Sequence, residues 1–328
     1  MTRPASVGEA LRSATEWLRA GGSRSPRLDA ELLLATALGV DRAELFRTPE
    51  RVLTRGEERR FDGYLVRRQA REPVAYIRGR RAFRAIELEV TPAVLIPRPE
   101  TETLVDVALE ALAAAPAGSD AAGGAPCEGP GAEAGPGGKA GPGGAAAPGL
   151  YEPLALDVGT GSGCIALALA AENPFVRLLA TDLSEAAVEL ARRNAARLGL
   201  GGRVAIRCGD LLDDLPPRVR FDLIVCNPPY IPAAEYRTLE ANVRDYEPRL
   251  ALHGGEDGLD VYRRLIPAAA ARLRPGGVLA VEVGAGQAAA VRALFAAAGA
   301  FRPARERADL AGIPRVVFAH LSRRDPGG

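Results

Sequence analysis

Leu154-Ala-Leu-Asp-Val-Gly-Thr-Gly-Ser-Gly-Cys164 is the stretch that decides the fold. Leu154 to Val158 is a short apolar run that reads as a strand, and an apolar helical run follows from Cys164 to Ala171. Between them Gly159, Gly161 and Gly163 stand at alternate positions, separated by Thr160 and Ser162. Glycines so placed let the backbone turn tightly and approach a ligand closely. The helix that follows adds unpaired N–H groups at its start. In an open α/β sheet, ligands bind beyond the carboxyl ends of the strands at such a point. The spacing lacks the later third glycine of the dinucleotide fingerprint. No Lys-Ser/Thr pair follows, which excludes a P-loop.

Downstream the pattern alternates strand and helix. Arg177 to Thr181 predicts a second strand, Ser184 to Leu198 a helix, and Val204 to Cys208, Phe221 to Cys226 and Val278 to Val283 further strands. Such a series makes an α/β sheet, parallel and wound on both sides. A last run, Arg315 to His320, follows an apolar stretch near Phe301 and predicts a closing hairpin at the sheet edge. Asp182 ends the second strand, about twenty residues beyond the Gly-rich loop, where a carboxylate can accept from both ribose hydroxyls of an adenosine. That placement suits NAD and S-adenosylmethionine alike, and also a helix N-terminal carboxylate beside Ser184. Asp210, in Gly209-Asp210-Leu211 after the third strand, faces an adenine amino group or caps a turn.

The fourth strand runs into Asn227-Pro-Pro-Tyr230, the most informative loop in the chain. Two prolines after a strand would stop it whatever their neighbours. The loop, however, lies beside the Gly-rich loop at the ligand-binding edge, and its composition answers a specific chemical need. A carboxamide nitrogen is a poor nucleophile, because its lone pair is delocalised into the carbonyl. A site that alkylates it must hold both N–H hydrogens and present the nitrogen to the methyl donor. The Asn227 side-chain oxygen and the Pro228 carbonyl can each accept one of them. Pro228 and Pro229 fix φ and lack N–H groups, so they present carbonyls on a stiff frame. Tyr230 can pack on the flat face of the amide. Asn227, Pro228 and Tyr230 are therefore the candidate catalytic residues, working by positioning and electrostatic preorganisation without a metal.

Upstream, Ser6-x-x-Glu9 and Thr54-x-x-Glu57 are capping boxes. The first leads into Val7, Leu11, Ala14 and Leu18 at helical spacing, closed by Gly21-Gly22. Ser25-Pro26 opens the next helix, with Leu28, Leu32 and Ala35 expected on its buried face and Gly39 after it. This small helical bundle suits docking better than catalysis. Phe83, Ile86, Leu88 and Val90 predict a hairpin, and a helix is expected from Glu100 to about Ala114. Residues 115–149 are nearly all Gly, Ala and Pro with a few charges, a composition expected of a disordered surface insertion.

The Gly-rich loop taken with Asn227 to Tyr230 resembles class I N-methyltransferases that act on amide or exocyclic amino nitrogens. Four further stretches are similar to the PrmC/HemK release factor glutamine methyltransferases: Pro26 to Leu34, Arg71 to Gly79, Leu95 to Glu102 and Glu247 to Asp260. The resemblance spans nearly the whole chain except 115–149 and the short tail. It implies a class I S-adenosylmethionine-dependent methyltransferase fold, a seven-stranded, mostly parallel doubly wound sheet with a small N-terminal helical bundle and a linking β-hairpin. The corresponding domains are 1–78 for substrate docking, 79–99 for the hairpin, 100–320 for the methyltransferase with its insertion, and 321–328 as a tail. The implied cofactor is S-adenosyl-L-methionine, held by Gly159, Thr160, Gly161, Ser162, Gly163, Asp182, Asp210, Leu211 and Asn227. The implied substrate is the Gly-Gly-Gln glutamine of class-1 peptide chain release factors, clamped by Asn227, Pro228, Pro229 and Tyr230. Leu211 departs from family members that carry an aromatic residue there. Arg98 and Glu100 either shape the substrate cleft or only brace the interdomain connection. The Asp257-Gly258 turn and Tyr262 are expected to support the site's edge.

Composition agrees with this reading. A net charge of +1 over 328 residues gives no large basic field, which argues against a nucleic-acid substrate. Cys127, Cys164, Cys208 and Cys226 form no CxxC pair, and with two histidines they suggest neither zinc nor disulfides; three of them sit in apolar runs, as small hydrophobes do. No signal pattern and no membrane-length apolar run is present, so a cytoplasmic protein is the expectation; a monomer without nucleic-acid or membrane partners is expected as well. A ribosomal-protein glutamine methyltransferase, a DNA adenine-N6 methyltransferase and a dinucleotide-binding or interaction module are the alternatives. The adenine enzyme would need a basic groove and a flipped base.

Overall fold

The computed structural model describes residues 5–114 and 151–323, so the 115–149 insertion and Cys127 lie outside the described residues. The chain opens with helices α1 (Val7–Ala20), α2 (Pro26–Leu38), α3 (Glu44–Arg47), α4 (Arg55–Gln69) and α5 (Val74–Arg78). Both capping boxes form: the side chains of Ser6 and Thr54 accept from the backbone of Glu9 and Glu57, whose carboxylates reach back to the cap N–H groups. Gly39 closes α2 in the left-handed conformation.

The buried face of α2 differs from the expected stripe. Leu28 is exposed and Leu32 half-buried, whereas Ala35 is buried as expected, together with Ala30, Leu33, Leu34 and Ala37. Helix α2 packs against α1 on one side and α4 and α5 on the other, so it is covered over more than one stripe. It even buries Asp29, which accepts from Ser23, Ser25 and Arg68.

A two-stranded antiparallel hairpin, β1 (Arg80–Phe83) and β2 (Ile86–Glu89), follows the bundle. A 3₁₀ turn (Pro99–Thr101) then leads into α6 (Glu102–Ala114). From there the chain alternates as expected: β3 (Leu154–Val158), α7 (Cys164–Glu172), β4 (Arg177–Asp182), α8 (Glu185–Arg197), β5 (Val204–Cys208) and β6 (Phe221–Cys226). Two short helices, α9 (Ala233–Tyr236) and α10 (Ala241–Arg244), precede α11 (Asp260–Ala270), β7 (Leu273–Glu282), α12 (Ala288–Ala298), β8 (Arg305–Ala308) and β9 (Pro314–His320).

The described strands β3 to β9 form one seven-stranded sheet in the order β5-β4-β3-β6-β7-β9-β8. Its first five strands are parallel and the closing β8–β9 hairpin is antiparallel. Apolar clusters fill both faces: α6, α7 and α8 cover one, and α11 and α12 the other. The regular part of the edge hairpin starts at Arg305, but Phe301 already pairs antiparallel with Leu321, as expected, and its ring packs edge-on against Phe295 of α12.

Strand order reverses between β3 and β6, where Val158 pairs with Cys226. One residue further on, Gly159 and Asn227 leave the sheet together. Neighbouring strands lie about 5 Å apart, so the Gly-rich loop and the Asn-Pro-Pro-Tyr loop emerge side by side at the switch point, where α/β sheets bind ligands.

Candidate active site

The Gly-rich loop is tied to its neighbour strand. The N–H groups of Gly159 and Thr160 both donate to the Thr181 carbonyl, at 2.8 and 2.9 Å. Gly159 and Gly161 have φ of +71° and +56°, and an added Cβ would meet nothing within 4 Å at either. Glycine is needed there for backbone conformation, and the space beside the loop is open.

Asp182 binds the loop from below. Its carboxylate accepts from the N–H of Gly161 at 2.8 Å and of Ser184 at 2.9 Å. Burial raises its pKa, and those backbone donors counter the rise. Ser184, not Asp182, caps α8, accepting from the Ala187 N–H. The carboxylate therefore organises the loop beside whatever the loop holds.

Asp157 and Thr160 form the loop's buried floor. Asp157 accepts from the Thr160 hydroxyl at 2.7 Å and the Ala166 N–H at 3.2 Å. Burial pushes the Asp157 carboxyl up to about 6. Its second oxygen is buried without a partner among the described residues, and the buried Ser162 hydroxyl faces the Cys164 thiol. An orphaned carboxylate oxygen beneath an open glycine cradle fits a polar cofactor. The Thr160 and Ser162 side chains point inward, so contact with a ligand would come from their backbone.

Asp210 and Leu211 follow the end of β5. The Asp210 carboxylate accepts from Arg264 of α11 at 2.8 Å. Leu211 has φ of +52°, and its carbonyl accepts from the Thr181 hydroxyl. Cys208, expected in an apolar setting, is exposed: it shares the face of the buried Val204 and Ile206, but it is the last residue of the edge strand β5.

The Asn227–Tyr230 loop is pinned from several sides. The Tyr230 carbonyl accepts from Gln287 at the start of α12 at 2.9 Å, and Ile231 exchanges backbone hydrogen bonds with Leu252 and Gly254. The Asn227 side-chain nitrogen donates to the Thr101 hydroxyl at 3.2 Å. Among the described residues, neither the Asn227 side-chain oxygen nor the Pro228 carbonyl has a donor. Burial pushes the Tyr230 phenol up to about 12, so it stays neutral.

A cavity of about 130 Å³ opens beside this loop, lined by Leu95, Arg98, Asn227, Tyr230, Ile231, Val243, Ala251 and Leu252. Arg98 is held by the buried Glu247 at 2.5 Å, and Glu247 also accepts from the Ile96 N–H. Arg98 thus braces the connection and lines the cleft as well. The turn at Gly258 packs against the Tyr230 carbonyl, and the buried Tyr262 donates to the Glu282 carbonyl at 2.7 Å.

Two residues that the sequence analysis did not single out stand behind Asn227: Thr101 and Glu282, each 1% exposed. The Thr101 side chain hydrogen-bonds the Glu282 carboxylate. Burial pushes that carboxyl up to about 7. A lone carboxylate inside the apolar run Val278–Val283 was the available signal.

Two families match the chain. The PrmC N-terminal domain matches residues 9–79, and the methyltransferase small domain matches residues 151–251. A release factor glutamine methyltransferase of Moorella thermoacetica is 42% identical over 320 residues, 98% of this chain and 99% of that protein. Another, from Bradyrhizobium diazoefficiens, is 42% identical over 96% of this chain and 94% of its own length. The hMettl16 catalytic domain in complex with MAT2A 3'UTR hairpin 6 shares the fold: TM-score 0.50, 16% identity, 73% of this chain and 76% of that one.

Proposed function

Since the chain belongs to the release factor glutamine methyltransferase family, we propose that its acceptor is the N5 amide nitrogen of the glutamine in the Gly-Gly-Gln motif of class-1 peptide chain release factors. The chain is an S-adenosyl-L-methionine-dependent methyltransferase with the class I fold. The observation that carries the assignment is the adjacency of Gly159 and Asn227 one residue past a paired register, with a cavity open at Asn227 and Tyr230.

In this reading Gly159 to Gly163 and Asp182 hold the cofactor, with Asp210 and Leu211 at its adenine end. S-adenosyl-L-methionine supplies an electrophilic methyl carbon on a sulfonium. The Asn227 oxygen and the Pro228 carbonyl accept the two N–H groups of the glutamine amide. Pro229 and Tyr230 confine its flat faces, so the nitrogen is presented in one orientation. With the cofactor bound, the new carbon–nitrogen bond would replace its carbon–sulfur bond, and the nitrogen's surplus proton would leave to water. The neutral Tyr230 adds no charge, and the gain comes from orientation and preorganised acceptors. The helical region 1–78 would dock the protein substrate. Among the described residues no helix is long and apolar enough to cross a membrane.

The test is transfer of labelled methyl from S-adenosyl-L-methionine to a purified class-1 release factor and to its Gly-Gly-Gln Gln→Ala variant, with intact ribosomes and duplex DNA as competing acceptors. Label on the wild-type factor alone is expected. Label on ribosomes or DNA instead would overturn the substrate. Asn227→Ala should lose at least about a hundredfold in turnover while keeping its circular dichroism; wild-type turnover in that variant would remove the clamp.

A further inference from the structure

Behind the Asn-Pro-Pro-Tyr loop runs a buried polar chain built from three elements. Asn227 follows β6, Thr101 closes the 3₁₀ turn before α6, and Glu282 ends β7. The Asn227 side-chain nitrogen donates to the Thr101 hydroxyl at 3.2 Å, and Thr101 is hydrogen-bonded to the Glu282 carboxylate. The second Glu282 oxygen is buried and has no partner among the described residues. A carboxylate so placed is costly. Its strand neighbours Leu279, Ala280, Val281 and Val283 are all apolar and fully buried. Packing alone would put another Val or Leu at this position.

The two ends of an Asn side chain are nearly the same size, and only their partners decide which way the amide faces. Were Asn227 turned over, its NH₂ would meet the NH₂ of the acceptor glutamine, donor against donor. We infer that Glu282, acting through the Thr101 hydroxyl, is a positioning residue that fixes the Asn227 amide with its oxygen toward the acceptor nitrogen. This inference rests on the amide-methylating reading above and deepens it.

The protonation state of Glu282 sets the polarity of the chain. An ionised carboxylate only accepts, so the Thr101 proton points to it and a Thr101 lone pair receives the Asn227 N–H. A protonated carboxyl can donate to Thr101 and turn the hydroxyl proton toward Asn227, which then offers its oxygen to Thr101. Burial pushes Glu282 up to about 7; the Thr101 hydrogen bond and then Arg315 on β9 oppose the rise, as does Arg98 more weakly, while Glu100 adds to it. Tyr230, Cys226, Tyr262 and Cys164 at the start of α7 also face it, but burial pushes each of them up and keeps them neutral. Turnover should therefore rise as pH passes through about 7.

The experiment measures kcat and KM for the release factor across this pH range. The proteins are wild type, Thr101→Val, Thr101→Ser, Glu282→Gln and Glu282→Leu, each also titrated calorimetrically with S-adenosylhomocysteine. Losing an orienting partner behind a functional group costs about 10- to 100-fold. Thr101→Val should lose that much in kcat, with S-adenosylhomocysteine affinity held within about twofold, and Thr101→Ser should restore most of it. Glu282→Gln still offers an oxygen to Thr101 and does not titrate, so the pH step should vanish; Glu282→Leu should be slow at every pH. The infrared acid-carbonyl band present in wild type and absent in Glu282→Gln should disappear with the same midpoint as the activity step. A step due to the buried Asp157, pushed up to about 6, would survive Glu282→Gln. Wild-type kcat in Thr101→Val, a pH step unchanged in Glu282→Gln, or equal losses in Thr101→Val and Thr101→Ser would overturn the inference. Methylation of a different amide acceptor with the same Thr101 and Glu282 pattern would overturn the release-factor substrate and keep the positioning chain.

Discussion

At the scale of single residues, the buried carboxyl of Glu282 sets a stability cost against a positioning role. Its folded pKa of about 7 lies above the ordinary value of 4.5. A carboxyl raised in the folded state contributes stability that is fully present below the unfolded pKa and is lost as pH rises through the folded one. Wild type should therefore lose stability between about pH 4.5 and 7 from this group. Glu282→Gln, neutral throughout, should be more stable than wild type at pH 8 by roughly 1–3 kcal/mol, and the gap should close by about pH 5. Urea unfolding of both proteins at the two pH values measures it. A gap that stays constant with pH would show that the carboxylate does not ionise in the fold. The candidate-site residues legible in the sequence were those whose proposed role is carried by chain neighbours: glycines at alternate positions, Asp182 at a strand end, Asn227 to Tyr230 in one loop. Thr101 was not, because it meets Asn227 across 126 residues and stands among prolines and glutamates that look like a connector. Asp210 was legible as a loop carboxylate, whereas its ion pair with Arg264 was not.

At the scale of elements, the turn at Gly258 is the back wall of the Asn227–Tyr230 loop. Gly258 has φ of +79°, and a Cβ there would lie 2.3 Å from the Tyr230 carbonyl oxygen and 2.6 Å from the Gln287 side-chain nitrogen that bonds it. Gly254 presses on the same loop, 2.5 Å from the Pro229 carbonyl on the same construction. Gly258→Ala must therefore strain its own backbone and push Tyr230 toward the cavity. We expect a stability loss of about 1–3 kcal/mol and a fall in kcat, with S-adenosylhomocysteine affinity little changed, because the Gly-rich loop is not touched. Unchanged kcat in a folded Gly258→Ala would show that the loop tolerates movement. Periodicity located most strands and long helices within a residue or two, since the parallel strands are continuous apolar runs bounded by polar turns. It failed where tertiary packing adds a second covered side, as on α2, and where a strand begins in polar sequence. Strand β7 starts at Leu273, before the Gly276-Gly277 pair, since Leu273 pairs with Phe221 across a register shift. Strand β8 is nearly all exposed and charged, so it offered no apolar run to read.

At the scale of the whole molecule, the hairpin does not hang loosely between bundle and sheet. Asn194 of α8, fully buried, donates to the Glu89 carbonyl at 3.0 Å and the Ser162 carbonyl at 2.9 Å, and accepts from the Glu89 N–H at 2.8 Å. One side chain thus joins strand β2, helix α8 and the Gly-rich loop. Arg84 at the hairpin's turn adds ion pairs to Asp106 of α6 and Glu172 of α7. By contrast, beside the buried cluster that packs Tyr76 of α5 with Val94, Ile96 and Tyr246, the bundle makes exposed contacts near the cavity: the Arg24–Glu240 pair and a hydrogen bond from the Tyr246 hydroxyl to the Ala70 carbonyl. The two sets should respond differently to substitution. Asn194→Leu keeps the volume and leaves three backbone groups without a partner, each costing about 1–3 kcal/mol. Relaxation will recover part of that, so a net loss of roughly 3 kcal/mol is expected, with weaker S-adenosylhomocysteine binding because Ser162 is no longer held. Arg24→Ala removes an exposed pair of the kind worth about 0–1 kcal/mol and should change neither quantity. Chemical denaturation and calorimetry on both variants test the contrast. If Asn194→Leu binds S-adenosylhomocysteine as wild type does, the Gly-rich loop is set by the sheet and Asp182 alone, and the hairpin serves only to join the two parts of the chain.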